Sequence, residues 1–152
     1  MTGTTTTLAE LPSHKGRELG TSDWFEVTQD RVDTFADATD DHQWIHVDVE
    51  RATAESPFGG PVAHGYLTLS LLIPMWSQVL TVTDKTMGVN YGLGRVRFPA
   101  PVPVGARVRL TARLVDVEEV TGGLQLTVAA VIEREGSDKP VCIAEPVFRF
   151  YG

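Results

Sequence analysis

Side chains able to move protons are concentrated in one short stretch of the chain. Three of the four histidines and two adjacent aspartates lie in it: Asp40, Asp41, His42, His46 and His64. Asp41 and His46 are five positions apart, and the bulky apolar residues Trp44 and Ile45 lie between them. Because such a linker is unsuited to a solvated loop, we expect it to carry the pair into a semi-buried place. A low dielectric shifts pKa values there, which suits general acid–base chemistry.

Two capped helices are predicted around this stretch. Thr28 is of a type preferred at helix N-caps, and apolar residues recur after it at i, i+3 and i+4, which predicts an amphipathic helix over residues 28–39. Asp48 can cap a second, short helix over residues 49–54. Residues 40–47, between the two, are expected to be irregular.

An apolar run follows a Gly-Gly-Pro turn. Over residues 64–75 the only polar side chains after the first residue are Thr68 and Ser70. A helix that is apolar almost all round is covered by other elements, so we expect this one to be buried. Pro74 is predicted to kink or end it.

The second half of the chain has the period-two pattern of strands. Residues 20–27 are expected to form a short strand or an extended lead-in, and four antiparallel strands joined by hairpin-type turns are predicted near residues 95–98, 107–114, 124–132 and 141–150. Helices followed by strands indicate an α+β fold in which an antiparallel sheet wraps around a central buried helix. Residues 16–152 read as one domain, and the Thr-rich residues 1–15 as a flexible tail.

Composition excludes several classes of function. The net charge of −7 argues against a nucleic-acid binder, because neutralising phosphates needs a basic face. The single cysteine, Cys142, excludes an intrachain disulfide and a two-cysteine metal motif, and a buried inert thiol fits a reducing compartment. No secretory leader is recognisable, and the apolar run is shorter than the ~18–20 residues that span a bilayer. We therefore expect a cytoplasmic protein without membrane or nucleic-acid partners.

Two segments together resemble a known family motif. The MaoC-like hydratase/dehydratase family, also called hydratase 2, has the hotdog fold and a motif of the form G-D-x-N-P-(I/L/V)-H followed by F-G-x-P-(I/V)-A-H-G. Here residues 40–46 read D-D-H-Q-W-I-H and residues 58–65 read F-G-G-P-V-A-H-G. The first segment is similar to the nodulation-protein-N-like branch. Asp40 stands where the family has Gly, Gln43 where it has Asn, and Trp44 where it has Pro.

The resemblance implies reversible, (R)-specific hydration of trans-2-enoyl-CoA to (R)-3-hydroxyacyl-CoA. It implies Asp41 and His46 as the catalytic acid–base pair around one water. The Gly65 N–H, at the start of the apolar helix, is the implied donor to the thioester oxygen, with His64 and Gln43 as further substrate-binding residues. No metal or other cofactor is implied, since CoA is part of the substrate. The family pairs subunits edge to edge, so at least a homodimer is expected.

Several readings stay open at this point. The substrate is a thioester of CoA or of acyl carrier protein, of unspecified acyl length, and either Asp40 or Asp41 carries the proton. Arginines alternate with apolar residues along the predicted strands at positions 95, 97, 107 and 109. They form a solvated outer face, or Arg95 and Arg97 bind the CoA phosphates. Asn90 and Tyr91 are candidates for lining the acyl pocket. The rival functions are a hotdog acyl-CoA thioesterase and a non-catalytic acyl-binding subunit of a dehydratase assembly.

Overall fold

The computed structural model describes the whole chain, residues 1–152. In chain order its elements are β1 (Thr4–Thr6), a 3-10 helix (Leu11–His14), β2 (Glu18–Thr21), β3 (Phe25–Glu26), α1 (Gln29–Thr39), α2 (Trp44–Val47), α3 (Val49–Glu55), α4 (Gly65–Ser70), α5 (Leu72–Val79), β4 (Leu80–Val82), β5 (Met87–Arg97), β6 (Arg107–Val120), β7 (Gly123–Arg134) and β8 (Cys142–Tyr151). None of these helices is long and apolar enough to cross a lipid bilayer.

Six strands form one antiparallel sheet that wraps the helical layer. Its order is β2-β6-β7-β8-β5, and β3 also pairs with β6. The predicted period-two alternation is confirmed, since alternate side chains of β6, β7 and β8 are buried on one face: Val108, Leu110, Ala112, Leu114, Leu126, Val128, Ala130, Ile132, Cys142, Ala144, Phe148 and Phe150. Burial of this face supplies the main driving force for folding. The α+β hotdog fold is confirmed.

The apolar helix packs against that face but differs from the prediction in two respects. It is interrupted at Leu71 rather than at Pro74, and the second part continues to Val79. Pro74 lies in the first turn of α5, where a missing N–H removes no helical hydrogen bond. The helix is also not covered on all sides: Trp76 stacks on Phe148 at 4.8 Å between ring centroids, whereas Tyr66 is 74% exposed.

The two capped helices form as predicted. The Thr28 hydroxyl accepts a hydrogen bond from the Arg31 N–H at 3.2 Å, and the Asp48 carboxylate accepts one from the Arg51 N–H at 3.0 Å. Asp40 ends α1 in the left-handed conformation, with φ of 58°. The segment expected to be irregular contains the single turn α2. Asp41 therefore lies directly between two helices.

The first fifteen residues were wrongly predicted to be a flexible tail. β1 pairs in parallel with β4, in the register Thr4 to Leu80, and Leu11 is completely buried in the core. The β-branched threonines suit a strand, but their pairing partner lies more than seventy residues away in the sequence. A local pattern therefore could not reveal the pairing.

Replacing Leu11 with Ala tests this packing. We expect the free energy of unfolding to fall by about 2–5 kcal/mol, because the substitution leaves a cavity among fully buried neighbours. Thr5→Ala, on the exposed side of β1, is the matched control and should change stability by no more than about 0.5 kcal/mol. Equal unfolding midpoints in denaturant for Leu11→Ala and the parent would contradict this packing.

Candidate active site

His46 is held on the single turn α2 with its ring 7% exposed. Its Nδ1 lies 2.6 Å from the backbone carbonyl oxygen of Val62. Because a carbonyl only accepts hydrogen bonds, Nδ1 carries the hydrogen and Nε2 of the neutral ring keeps its lone pair. The structure thus presents a histidine oriented to accept a proton at Nε2.

The two sequence motifs are joined by backbone hydrogen bonds. The Val62 N–H donates to the Ile45 carbonyl at 3.0 Å, the Ala63 N–H to the Val102 carbonyl at 2.8 Å, and the Val104 N–H to the Pro61 carbonyl at 3.0 Å. Residues 61–63 therefore run as an extended strap between α2 and the segment before β6. This strap fixes both His46 and the start of α4.

Asp41 brings a carboxylate to the same place. One of its carboxylate oxygens and one ring nitrogen each of His46 and His64 all lie within 4.8 Å of one another. Two groups that both hydrogen-bond one water at ~2.8 Å sit about 4.6 Å apart, so a cluster of this size is compatible with one water shared by the carboxylate and an imidazole. The Asp41 side chain is exposed and forms no hydrogen bond or salt bridge within the protein, which leaves it available to a substrate.

Burial lowers the pKa of His46 from its ordinary value of 6.5, and the neighbouring His64 lowers it further. The hydrogen bond to Val62 and the charge of Asp41 act in the opposite direction but do not cancel the effect of burial. His46 is therefore neutral at pH 7 and can act as a base.

This direction predicts the pH dependence of activity. The acidic limb of kcat/KM should have its midpoint below pH 6.5, because activity is lost only when His46 becomes protonated in the folded protein. The free energy of unfolding should also depend on pH, because His46 binds a proton at higher pH in the unfolded chain than in the folded one. The stabilising contribution of the neutral His46 is fully present above pH 6.5 and is lost as the pH falls from 6.5 through the lowered pKa. A pH–rate profile with an acidic limb above 6.5 would contradict this assignment.

Gly65 is the first residue of α4, and no protein group accepts a hydrogen bond from its N–H. Gly65 and His46 both line a cavity of about 380 Å³. The cavity has a mostly apolar lining: Ile45, Phe58, Val62, Ala63, Thr68, Phe98, Pro99, Ala100, Pro101, Val102 and Val141, besides His46 and Gly65. His46 and Gly65 therefore border one apolar pocket, which Asp41 does not line.

Glycine at position 65 keeps that pocket open. A Cβ built there would lie 3.2 Å from the ring carbons Cδ2 and Cε2 of Phe98. We expect Gly65→Ala to lower kcat/KM by ~10²-fold, because the methyl group crowds the approach of a substrate oxygen to the N–H. Folding should not suffer, because Phe98 is 39% exposed and its ring can shift by the few tenths of an ångström that the methyl group requires. An unchanged kcat/KM, with thermal unfolding measured in parallel, would contradict a role for this N–H.

The remaining predicted residues are placed as follows. His64 is 2% exposed, does not line the cavity, and donates from Nε2 to the Asp41 backbone carbonyl at 2.9 Å. The Gln43 side chain is exposed and bonds nothing; its carbonyl accepts from the His46 N–H at 3.0 Å. His42 lies on the surface, where the hydrogen bond that its ring donates to the Asp37 carboxylate raises its pKa.

The arginines separate into two groups. Arg107 pairs with Glu135 and Arg109 with Glu133, so both are neutralised on the outer face. Arg95 and Arg97 are exposed on β5 and have no carboxylate within salt-bridge distance.

One supporting residue carried no sequence signal. The Gln29 side chain donates from Nε2 to the His46 backbone carbonyl and to Asp33, each at 2.8 Å. It ties α1 to the turn that carries His46. Its position at the start of an amphipathic helix gave no reason to single it out.

The cluster of Asp41, His46 and His64 is also the set of side chains that could hold a metal ion. Each imidazole already uses one nitrogen on a backbone carbonyl, which leaves one nitrogen per ring and the carboxylate as donors. A backbone carbonyl on the far nitrogen is a common way of orienting histidine ligands.

Fold and site together define a class of protein. A hotdog sheet packs against a helix, at whose start a carboxylate and two imidazoles cluster, and the family follows from direct comparison. The family description "MaoC like domain" matches residues 10–136. The chain therefore belongs to the MaoC-like dehydratase family, whose membership supports addition or removal of water as its activity.

Individual relatives agree with this assignment. The chain is 53% identical over 144 residues to 3-hydroxyacyl-thioester dehydratase Z of Mycobacterium tuberculosis, covering 94% of this chain and 95% of that protein. It is 49% identical over 139 residues to Nodulation protein N of Rhizobium leguminosarum bv. viciae, covering 90% and 86%. The resemblance to the nodulation-protein-N-like branch is thereby confirmed.

Solved structures share the fold. A monoamine oxidase regulatory protein from Archaeoglobus fulgius matches with a TM-score of 0.77 at 22% identity, covering 100% of this chain and 99% of that one. The (R)-hydratase from A. caviae involved in PHA biosynthesis matches with a TM-score of 0.69 at 22% identity, covering 88% and 94%. At these identities the likeness concerns the fold alone.

Proposed function

We propose that this protein hydrates trans-2-enoyl thioesters to (R)-3-hydroxyacyl thioesters and catalyses the reverse dehydration. The observation that carries the proposal is the cluster of the Asp41 carboxylate with a His46 ring nitrogen within 4.8 Å, together with the cavity that His46 and Gly65 line. The name of the 53% identical relative, a 3-hydroxyacyl-thioester dehydratase, supports the same substrate class.

In the hydration direction the water is held between the Asp41 carboxyl group and His46 Nε2. Its oxygen bonds to C3 of the enoyl group while one of its protons passes to the acid–base pair. The pair returns a proton to C2, so the C2–C3 double bond becomes a C–O and a C–H single bond. Each such acid–base contribution is worth ~10²–10⁴-fold in rate. No metal or further cofactor takes part.

The thioester oxygen gathers negative charge as the bond to C3 forms. We assign the Gly65 N–H at the start of α4 as the donor to this oxygen, in a pocket where an apolar lining would strengthen the interaction. Gln43 and His64 do not line this pocket, so the backbone N–H replaces them as the proposed oxyanion contact.

The carrier of the acyl group is proposed to be CoA. Arg97 directly precedes Phe98, which lines the cavity, and neither Arg97 nor Arg95 is engaged by a carboxylate. The Arg97 guanidinium donates to the Val96 backbone carbonyl at 2.7 Å, but both guanidinium groups lack a carboxylate partner. Such groups suit the CoA phosphates, which an acidic protein would otherwise repel.

A homodimer is proposed from the edge of the sheet. β5 is an edge strand with large exposed apolar side chains, among them Tyr91 at 54% exposure and Leu93. An exposed apolar edge is a pairing surface. Asn90 lines a separate groove of about 320 Å³ between β5, β8 and the helices rather than the cavity next to His46, and Tyr91 lines neither. Light scattering should give twice the 16.6 kDa chain mass. A monomer would contradict this part of the proposal.

Product analysis tests the function. Purified protein incubated with crotonyl-CoA, and separately with a longer trans-2-enoyl-CoA, should form the (R)-3-hydroxyacyl-CoA, identified by chiral chromatography after hydrolysis. Free thiol should not appear. Thiol release without a hydroxyacyl product would indicate a thioesterase instead, and no reaction from a folded protein would indicate a non-catalytic acyl-binding subunit.

A further inference from the structure

His64 lies at the centre of the site without facing the substrate cavity. Its ring is stacked on that of His46, with centroids 4.0 Å apart and planes at 26°, and the Phe35 ring is tilted against it at 4.8 Å between centroids. Nε2 donates to the Asp41 backbone carbonyl at 2.9 Å. One side chain therefore touches both members of the acid–base pair.

The hydrogen bond to Asp41 has no substitute. Residues 40–43 make no other hydrogen bond to the segment 58–65, and the Asp41 side chain bonds nothing within the protein. Asp41 also follows a residue in the left-handed conformation, at the exposed end of α1. Without the contact from His64, the backbone carrying the carboxylate would be tied to the rest of the site only through its chain neighbours.

The burial of His64 indicates why an imidazole occupies this position. His64 is 2% exposed, and its Nδ1 has no hydrogen-bond partner. A buried polar atom without a partner costs free energy, so an apolar ring would fit this place at least as well for folding alone. A histidine at this position is therefore explained by its Nε2, which donates a hydrogen bond to the Asp41 carbonyl.

We propose that His64 is a positioning residue that sets the distance between Asp41 and His46, by fixing the Asp41 backbone with Nε2–H and packing its ring against the His46 imidazole. The inference rests on the proposed function of that pair. A displacement of about 1 Å between reacting groups costs ~10²-fold in rate, so loss of this contact should lower kcat by that factor. KM should change less than about threefold, because His64 does not touch the substrate.

Two substitutions separate the hydrogen bond from the packing. His64→Phe keeps a ring between Phe35 and His46 but has no donor, whereas His64→Gln places an amide N–H near the position of Nε2 without the ring. We expect His64→Phe to lose ~10²-fold in kcat and His64→Gln to recover most of that loss. His14, on the 3-10 helix, provides the matched control; its ring hydrogen-bonds the Thr6 hydroxyl of β1. His14→Phe should leave kcat unchanged.

A second readout does not depend on turnover. NMR of the isotopically labelled protein should show the Asp41 carbonyl carbon and the His46 ring shifted in His64→Phe and close to the parent in His64→Gln. If the parent hydrates no enoyl thioester, the proposed function fails while these shifts still test the positioning. The inference would be overturned if the Asp41 carbonyl resonance did not shift in His64→Phe. It would also be overturned if that variant kept the parent's kcat, whether or not its KM rose.

Discussion

Replacing Asp41 with Asn should lower kcat for enoyl-thioester hydration by ~10²–10⁴-fold, because the amide cannot exchange a proton with the bound water. The substitution is nearly isosteric and the carboxylate is exposed with no partner in the protein, so the fold should be unaffected. Steady-state kinetics with crotonyl-CoA, together with a thermal unfolding curve, measure both effects. KM should stay close to that of the parent.

The neighbouring carboxylate is the natural control. Asp40 ends α1 with φ of 58°, a conformation that asparagine tolerates well, so Asp40→Asn removes one negative charge without backbone strain. We expect its activity to stay within about threefold of the parent, since only Asp41 reaches the histidine cluster. A full loss of activity in Asp40→Asn, with Asp41→Asn active, would place the proton on Asp40.

Replacing His46 with Ala should have an equally large effect. It removes the Nε2 base, which contributes ~10²–10⁴-fold, and also the donor that satisfies the Val62 carbonyl. A buried carbonyl left without its partner costs about 1–3 kcal/mol, so the unfolding midpoint should fall as well. Activity and stability must therefore be measured on the same preparation, at a temperature where the variant is folded.

Added imidazole and a surface control complete this test. Exogenous imidazole can enter the vacated space and should restore part of the activity of His46→Ala. His42→Ala removes an exposed histidine whose ion pair with Asp37 is of the kind that contributes little to stability, and it should resemble the parent. A folded His46→Ala variant with the parent's kcat would show that another group is the base.

The chemistry of the site could be predicted from sequence because it depends on local spacing. Asp41 and His46 lie on one short segment, and the glycine that starts α4 follows a proline turn within the second motif. The link between the segments could not be predicted. The contacts from His64 to Asp41 and from His46 to Val62 join residues 23 and 16 positions apart, and only the folded chain shows which nitrogen each ring uses.

The fold was predictable where the pattern of burial is regular and less so elsewhere. Alternation along β6 and β7 identified those strands, since one face of each is buried. β5 is exposed along nearly its whole length, so no alternation marked its first half. The proline in α5 was given too much weight, because in the first turn of a helix proline removes no hydrogen bond.

The central claim is that the Asp41–His46 pair hydrates an enoyl thioester. The most direct test is the loss of enoyl-thioester absorbance with crotonyl-CoA, followed side by side for the parent, Asp41→Asn, His46→Ala and Asp40→Asn. The account predicts turnover by the parent and Asp40→Asn and a loss of at least ~10²-fold in the other two. The claim would be contradicted if folded Asp41→Asn and His46→Ala turned over crotonyl-CoA at the parent's rate. It would also be contradicted if the parent turned over no enoyl thioester.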